Sequence, residues 1–213
     1  MFTGLVEKVC SVRAVQHIAG SMKLAIDMAE IASKCNIGDS IAINGVCLTI
    51  SKLEGSLVSF DVSAETIART SLGRLNSSSK VNIERAMKAN GRFEGHFVLG
   101  HIDGTAIIQA IEKQGEFVNI KFSAGSELLG MMVLKGSVSV DGISLTLANI
   151  DKEGFSVALI PQTLKKTTLS NAKIGDCVNI ETDIIIKAVK KQLDEILPKT
   201  EPLTAEKLRE LGF

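Results

Sequence analysis

Two stretches of the chain, SIAINGVCLT at 40–49 and SVSVDGISLT at 137–146, are variants of one pattern. They lie at an offset of 97 residues, and Ser, Gly, Leu and Thr recur at the same places. At the same offset AETIARTSL (64–72) matches PQTLKKTTL (161–169), and VNIE at 81–84 recurs unchanged at 178–181. A constant offset over this length indicates two homologous halves of about 95 residues each, a period too long for a solenoid repeat.

Each half alternates apolar and polar residues with a period of two, as in Ser40–Asn44 and Ser137–Asp141. Such alternation is typical of strands with one buried face. Turns rich in Gly, Asp and Asn separate these segments, for example at Ile37–Asp39 and Ile174–Asp176. Short strands at this spacing predict an all-β barrel or sandwich in each half.

After the second VNIE the period changes to that of a helix. Between Ile184 and Leu197 apolar residues fall at 186, 189, 193 and 196, and lysines and acids fill most of the other positions. This spacing predicts an amphipathic helix that ends before Pro198, and a second short helix from Thr204 to Gly212. The first helix packs on its own barrel or associates with copies of itself, and the pattern favours self-association.

Composition excludes several classes of function. The chain has 213 residues, 24 Lys+Arg against 24 Asp+Glu, and neither Trp nor Tyr. A net charge of zero and few aromatic rings argue against nucleic acid as a partner. The first residues lack the pattern of a secretory signal, and no apolar run reaches the roughly 18–20 residues of a membrane span. We therefore expect a soluble cytoplasmic protein, without a membrane partner, whose four cysteines stay reduced.

The repeated strands also carry candidate functional residues. Cys47 and Thr49 in the first half correspond to Ser144 and Thr146 in the second, and alternation places each pair on one face of its strand. Small polar side chains beside a glycine can hydrogen-bond a planar heterocycle that approaches the backbone. The alternative is that they face water at strand ends, but their recurrence in both halves favours a pair of related ligand sites.

Two histidines, His96 and His101, flank the junction of the halves. No accompanying Cys or carboxylate pattern completes a metal site, so metal binding is disfavoured. A hydrogen-bonding or acid–base role at the junction and an ordinary structural role both stay open. His17, in a segment that reads as a loop, is expected at the surface.

Several motifs together resemble those of the lumazine-binding double-barrel family, which includes the riboflavin synthases. They are MFTGLVE (1–7), NGVCLT (44–49), GHFVLGHIDGT (95–105), KGSVSVDGISLT (135–146) and LIPQTLKKTTL (159–169). The resemblance covers essentially the whole chain. It implies an all-β fold of two homologous six-stranded Greek-key β-barrels in tandem, followed by a C-terminal α-helix. The implied domains are 1–96, 97–193 running into the helix at about 184–197, and a tail at 194–213.

The resemblance further implies the last step of riboflavin biosynthesis. Two molecules of 6,7-dimethyl-8-ribityllumazine exchange a four-carbon unit, giving riboflavin and 5-amino-6-(D-ribitylamino)uracil, with no metal or external redox cofactor. In the family the helix forms a homotrimer, and one lumazine on an N-terminal barrel faces another on the C-terminal barrel of a neighbouring subunit. An association with lumazine synthase stays open.

The site residues follow from the same resemblance. Those carried over for chemistry are Phe2, Cys47, His101, Asp141, Ser144, Thr146 and Asp183. The N-terminal barrel is expected to bind substrate through Gly4, Leu5, Val6, Cys47, Leu48, Thr49, Asp61, Val62, Ser63, Ala64, Glu65 and Thr66. The C-terminal barrel is expected to do so through Gly100, His101, Ile102, Lys135, Ser144, Leu145, Thr146, Leu159, Ile160, Pro161, Gln162, Thr163 and Leu164.

Two positions depart from the family pattern, where Glu often stands in place of Gln162 and Gly in place of Glu94. The first departure could change hydrogen bonds to substrate, because an amide donates as well as accepts. The competing function is a non-catalytic lumazine- or flavin-binding protein of the same fold. Such a binder needs only one intact site, whereas this chain retains polar residues in both halves.

Overall fold

The computed structural model describes residues 1–196 and Arg209, and it contains twelve strands within that part of the chain. The strands of the first half are β1 (Lys8–Ile18), β2 (Ser21–Asp27), β3 (Ser40–Ile43), β4 (Val46–Glu54), β5 (Leu57–Ser63) and β6 (Lys80–Arg85). Those of the second half are β7 (Gly104–Gln114), β8 (Phe117–Ser123), β9 (Ser137–Val140), β10 (Ile143–Ile150), β11 (Gly154–Leu159) and β12 (Cys177–Thr182). Within residues 1–196, four α-helices accompany them: α1 (Ala64–Arg69), α2 (Ser126–Leu129), α3 (Pro161–Lys166) and α4 (Ile184–Ile196).

Each half closes into a six-stranded antiparallel barrel. The strand order is β1-β2-β5-β4-β3-β6 in the first and β10-β11-β8-β7-β12-β9 in the second, so that equivalent strands have equivalent neighbours. In both barrels a meander of three strands is bordered by the strand that precedes it in sequence, which is the Greek-key arrangement. Closure removes the unpaired strand edges that would otherwise invite aggregation. The predicted tandem barrels are confirmed.

Each barrel has its own hydrophobic core, built from the inward side chains of the alternating strands. Phe60 and Leu24 are fully buried in the first core, and Phe122 stacks on Phe155 in the second with ring centroids 5.0 Å apart. Two separate cores confirm that each half folds around its own interior. The division after residue 96 stays a prediction, since the described strands fix only the barrels themselves.

The barrels meet at two equivalent hairpin turns, Asn44-Gly45 between β3 and β4 and Asp141-Gly142 between β9 and β10. All four residues have positive φ, between 45° and 79°, which Asn, Asp and Gly tolerate best. A Cβ added to Gly45 would lie 2.7 Å from the amide nitrogen of Gly142. The two turns are therefore in backbone-to-backbone contact, and this contact excludes any side chain at either glycine.

Asparagines of the repeated VNIE motif fasten this contact. Asn82 Nδ2 donates to Asp141 O (2.9 Å) and its Oδ1 accepts from Thr168 N (2.9 Å), both in the other barrel. Asn179 mirrors it, donating to Asn44 O (2.8 Å) and accepting from Ser71 N (2.6 Å). Both asparagines are buried. The unchanged recurrence of VNIE thus has a physical cause, because each copy satisfies backbone groups of the opposite barrel.

Asp141 breaks the symmetry of these turns. Its Oδ1 accepts from Asn179 N (2.8 Å), just as the amide oxygen of Asn44 accepts from Asn82 N (2.8 Å). Burial of the carboxyl raises the pKa of Asp141 from 3.8 to about 7. The folded state disfavours the charged form of this carboxyl. Its contribution to the free energy of unfolding is therefore fully present below about pH 4 and is lost as the pH rises through about 7.

Asp141→Asn is expected to stabilise the protein at pH 8 and to change its stability little at pH 4.5. The amide copies the Asn44 arrangement and never ionises, so the destabilisation that sets in as the carboxyl ionises is removed. Urea unfolding of wild type and variant at both pH values measures the difference. An equal difference at the two pH values would contradict the shifted pKa. A loss of turnover in the folded variant would instead support the catalytic role carried over from the family.

The amphipathic helix predicted after the second barrel is present as α4, whose bounds end at Ile196. Its exposed apolar side chains are Ile185, Val189, Leu193 and Ile196, whereas Ile186 is half-buried and so lies off the predicted stripe. Leu197, Pro198 and the predicted helix from Thr204 to Gly212 lie outside the described residues, Arg209 excepted.

His17 lies on β1, paired with Met22, rather than in a loop, because β1 and β2 continue to the Ala19-Gly20 turn.

Within residues 1–196 and Arg209, no helix has the length and apolar character required to cross a membrane.

Candidate active site

Two extended segments, residues 2–6 and 98–102, pair with each other and then cross to opposite barrels. Phe2 N donates to Val98 O (2.7 Å) and Val98 N donates to Phe2 O (3.2 Å). Beyond this pair, Gly4 O accepts from Ser144 N (2.8 Å), whereas Gly100 O accepts from Cys47 N (3.0 Å). Each segment therefore borders the candidate strand of the other half.

The contacts favour a different division of the substrate-binding residues from the one that the resemblance implies. Gly4–Val6 was expected in the N-terminal site, yet Val6 packs against the core of the second barrel. Gly100–Ile102 was expected in the C-terminal site, yet Ile102 packs against the core of the first. The reason is topological. Each segment passes alongside a strand of the other barrel before the chain enters its own barrel.

The glutamates of the VNIE motifs hold the two segments in place. Glu84 accepts from Thr3 N and Oγ1 (both 2.7 Å) and from Gly4 N (3.0 Å). Glu181 accepts from Leu99 N (2.7 Å) and Gly100 N (2.9 Å). Burial raises the pKa of both carboxyls, and the backbone donors partly oppose that shift.

Glycine is required where the segments pass the strands. Gly4 and Gly100 have φ of 78° and 81°. A Cβ at Gly4 would lie 2.7 Å from Ser144 N, and one at Gly100 would lie 2.8 Å from Cys47 N. These contacts bring the backbone of one half against the polar strand start of the other, so each candidate site is assembled from both halves.

The strand starts present the side chains that alternation predicted. Leu48 and Leu145 are buried in the barrel cores, whereas Thr49 and Thr146 on the opposite face are exposed. Cys47 and Ser144 are half-buried beneath the crossing segments. The two faces are equivalent in position and differ in chemistry, with a thiol on one and a hydroxyl on the other.

His96 contacts only the second of these faces. Its Nδ1 lies 2.8 Å from Ser144 Oγ, and its backbone N–H donates to Thr3 O. The ring is buried, and its Nε2 has no hydrogen-bond partner among the described residues. Burial lowers the pKa of His96 below 6.5, against the opposing charge of Asp183, so the imidazole is neutral at pH 7. A neutral imidazole on a serine hydroxyl is the arrangement of a general base and its partner.

The residues carried over for chemistry fall into different environments. Phe2 is fully buried beside Ala42, Val98 and Cys47, at the point where the two crossing segments pair. Asp183 accepts from Ile185 N (2.9 Å) at the start of α4. His101 is exposed, and Asp141 lies buried between the barrels. Their catalytic roles stay predictions.

Most of the remaining candidates lie at the ends of β5 and β11 and at the starts of α1 and α3, the helices that follow them. Ser63 caps α1 by accepting from Thr66 N (3.2 Å), and Thr163 N donates to Ile160 O (3.1 Å) at the start of α3. The backbone N–H groups of Thr66 and Thr163 therefore have local partners. Lys135 is exposed and donates its backbone N–H to Leu147 O (3.0 Å).

The sequence left the role of His96 open and did not single out Glu84 and Glu181, although all three residues organise the site. The pairing of His96 with Ser144 joins positions 48 residues apart and leaves no local pattern. Glu84 and Glu181 did leave one, because a carboxylate repeated unchanged inside two apolar strands has to meet buried donors. Among the described residues, no group of three His, Cys, Asp or Glu side chains is placed to hold a metal ion.

Comparisons with known proteins agree with this architecture. A family model described as the Lumazine binding domain matches residues 3–86 and again 99–183. A riboflavin synthase from Bacillus amyloliquefaciens is 44% identical over 94% of this chain and 92% of its own length. One from Actinobacillus pleuropneumoniae is 41% identical over the full length of both chains.

A solved structure shares the fold at lower identity. LumP complexed with 6,7-dimethyl-8-(1'-D-ribityl) lumazine superposes with a TM-score of 0.78 at 20% identity, covering 85% of this chain and 99% of LumP. Full-length identity above 40%, two matches to the domain and two closed barrels lead to one conclusion. The chain belongs to the riboflavin synthase family of lumazine-binding double-barrel proteins.

Proposed function

We propose that the protein converts two molecules of 6,7-dimethyl-8-ribityllumazine into riboflavin and 5-amino-6-(D-ribitylamino)uracil. The observation that carries this function is the duplication of the site itself. Both strand starts keep small polar side chains, and each is bordered by a glycine segment from the other half. Two equivalent surfaces suit a reaction whose two substrates are the same molecule. The identity with riboflavin synthases over the full chain supports the same activity.

We propose two substrate surfaces, each formed by residues of one barrel together with the crossing segment that borders its strand. The first combines Cys47–Thr49 and Asp61–Thr66 with Gly100–Ile102. The second combines Ser144–Thr146 and Leu159–Leu164 with Gly4–Val6. Neutral amides and hydroxyls suit an uncharged pyrimidinedione ring and a ribityl chain, which carry no phosphate for a basic residue to bind.

The chemistry needs one lumazine as donor and one as acceptor. The C7 methyl group of the donor loses a proton to give an exomethylene anion, which attacks C6 of a second ring made electrophilic by nucleophilic addition at C7. Holding two molecules in register can remove about 7–11 kcal/mol of the barrier, because a bimolecular encounter becomes intramolecular. Proton transfer by a positioned group adds about 10²–10⁴-fold.

We assign the proton-transfer role to Ser144, with His96 as the base that accepts the proton of its hydroxyl. The hydroxyl lies 2.8 Å from a neutral, buried imidazole, which can accept its proton, and the negative charge of Asp183 would favour the imidazolium that forms. The thiol of Cys47 occupies the equivalent place in the other half without a histidine. This difference makes the second surface the proton-abstracting one and leaves the first to hold the acceptor.

Formation of riboflavin from the lumazine tests the function. Purified protein incubated with 6,7-dimethyl-8-ribityllumazine is expected to produce riboflavin and the uracil in equal amounts, measured by chromatography with absorbance detection. Tight binding of lumazine without product would establish the non-catalytic binding protein instead. Neither binding nor product would exclude both functions.

We further propose that α4 joins three copies of the chain into a homotrimer. Ile185, Val189, Leu193 and Ile196 form one face of the helix and are 48–72% exposed. An apolar stripe of this length on an otherwise charged helix lacks a partner within the described part of the chain.

Replacing Val189 and Leu193 together by Glu is expected to yield monomers, because six negative charges would be brought together at the helix contact of a trimer. Light scattering measures the mass of the particle. A double change of Lys190 and Lys191, exposed on the same helix, to Glu serves as the control and should leave a trimer. A persisting trimer in the apolar-face variant would place the contact elsewhere.

A cytoplasmic location is proposed on the state of the cysteines. Cys10 and Cys35 are buried, Cys47 and Cys177 are half-buried, and all four are free thiols. Association with lumazine synthase stays a prediction, which co-sedimentation of the two purified proteins would check.

A further inference from the structure

A cavity of about 890 Å³ lies between the barrels, near the pseudo-twofold axis and apart from the proposed substrate surfaces. Equivalent elements of the two halves build it: the 3₁₀ turn Ser71–Arg74 and the loop to β6 on one side, and the turn Thr168–Asn171 and the loop to β12 on the other. Its volume is within the range of small-molecule sites, roughly 300–1,000 Å³.

Positive charge collects around this cavity although the chain as a whole has a net charge of zero. Arg74, Lys80, Lys165 and Lys173 line it, and none of them forms an ion pair with a described residue. Duplication does not account for these cations. At the offset of 97 their counterparts are Asn171, Cys177, Ala68 and Asn76, all neutral.

The rest of the lining is rich in hydroxyl groups and contains little acid. Ser78, Ser79, Thr168 and Ser170 contribute to the wall. Of the two acids, Asp176 accepts from Lys173 N (2.8 Å) through Oδ2. Asp141 accepts from Asn179 N (2.8 Å) through Oδ1.

We propose that the cavity binds a phosphorylated sugar or polyol. The four cations supply the charge that a phosphate needs, and two of them come from each barrel. Ser78 Oγ and Ser170 Oγ donate to Asn76 Oδ1 and Thr167 O, so their oxygens can still accept from the hydroxyl groups of a carbon chain. The lumazine surfaces hold the uncharged substrate, so the two kinds of site differ in the charge of the ligand they accept.

Ribose 5-phosphate is the probe for this site, with ribose and inorganic phosphate as its two halves. Line broadening in ³¹P spectra and titration calorimetry of the full chain are expected to show saturable binding of ribose 5-phosphate, weaker binding of inorganic phosphate and none of ribose. Binding should weaken as salt is raised from about 0.05 to 0.5 M, because exposed charges are then screened.

Arg74→Gln combined with Lys173→Gln is expected to raise the dissociation constant for ribose 5-phosphate about tenfold or more, since one cation is removed from each side. Lys23→Gln combined with Lys113→Gln removes the same charge from exposed strand positions outside the cavity and should leave the constant unchanged. Riboflavin formation should persist in both variants, and thermal unfolding confirms that both are folded.

Three results would overturn the proposal. They are the absence of ribose 5-phosphate binding at millimolar concentration, equal weakening in the two double variants, and equal affinity for inorganic phosphate and ribose 5-phosphate. The last would mean that the hydroxyl lining takes no part.

Discussion

Ser144→Ala is expected to lower kcat by about 10²–10⁴-fold while the barrels stay folded, because it removes the group placed to transfer the substrate proton. His96→Gln should cause a loss of similar size, since the serine hydroxyl then has no base within 2.8 Å. If the two residues act as one unit, the double variant should be no slower than the slower single variant.

Pre-steady-state turnover of lumazine, followed by riboflavin absorbance, measures these rates, and binding of lumazine to each variant separates kcat from affinity. Ser51→Ala, an exposed strand serine of the first barrel, is the matched control and should retain the wild-type rate. Cys47→Ala should reduce turnover less than Ser144→Ala, because no histidine stands behind the thiol. Wild-type rates in both Ser144→Ala and His96→Gln would refute the assignment.

Gly45→Ala is expected to destabilise the protein by about 2–5 kcal/mol. A left-handed backbone costs an alanine about 1–2 kcal/mol, and overpacking against the Gly142 backbone adds about 1–3 kcal/mol. The new methyl group would force the hairpin turns apart and strain the hydrogen bonds of Asn82 and Asn179 across the contact.

Gly55→Ala separates the two causes. Gly55 also has a positive φ, of 62°, but a Cβ there meets no atom within 4 Å. Its substitution should therefore cost only the backbone strain. Urea unfolding of both variants gives the comparison, and equal losses would contradict the added cost of overpacking where the two turns meet.

Much of the fold can be predicted from the sequence because its signals are local or repeated. Alternation marks the strands, the offset of 97 residues marks the two barrels, and the change of period after Thr182 marks α4. The strand starts at Cys47 and Ser144 were predicted for the same reason, since each copy supports the interpretation of the other.

The contacts between the halves could not be predicted in this way. The crossing of Gly4 and Gly100 depends on where the chain enters each closed barrel, and no periodicity records that path. The side chain of His96 reaches Ser144 through the same crossing. Asp141 shows a different limit, because a carboxylate at a turn is expected to be exposed until the first barrel is placed against it.

The crossing of the two segments bears on how such a protein could have arisen. In a single barrel of this kind no glycine segment would border the polar strand start, because each segment borders the strand of the other half. Two identical copies related by a twofold axis would complete each other, each lending residues 2–6 to its neighbour. Gene duplication would then have joined an existing symmetric dimer in one chain, after which a thiol in one half and a histidine-backed hydroxyl in the other could diverge into unequal partners.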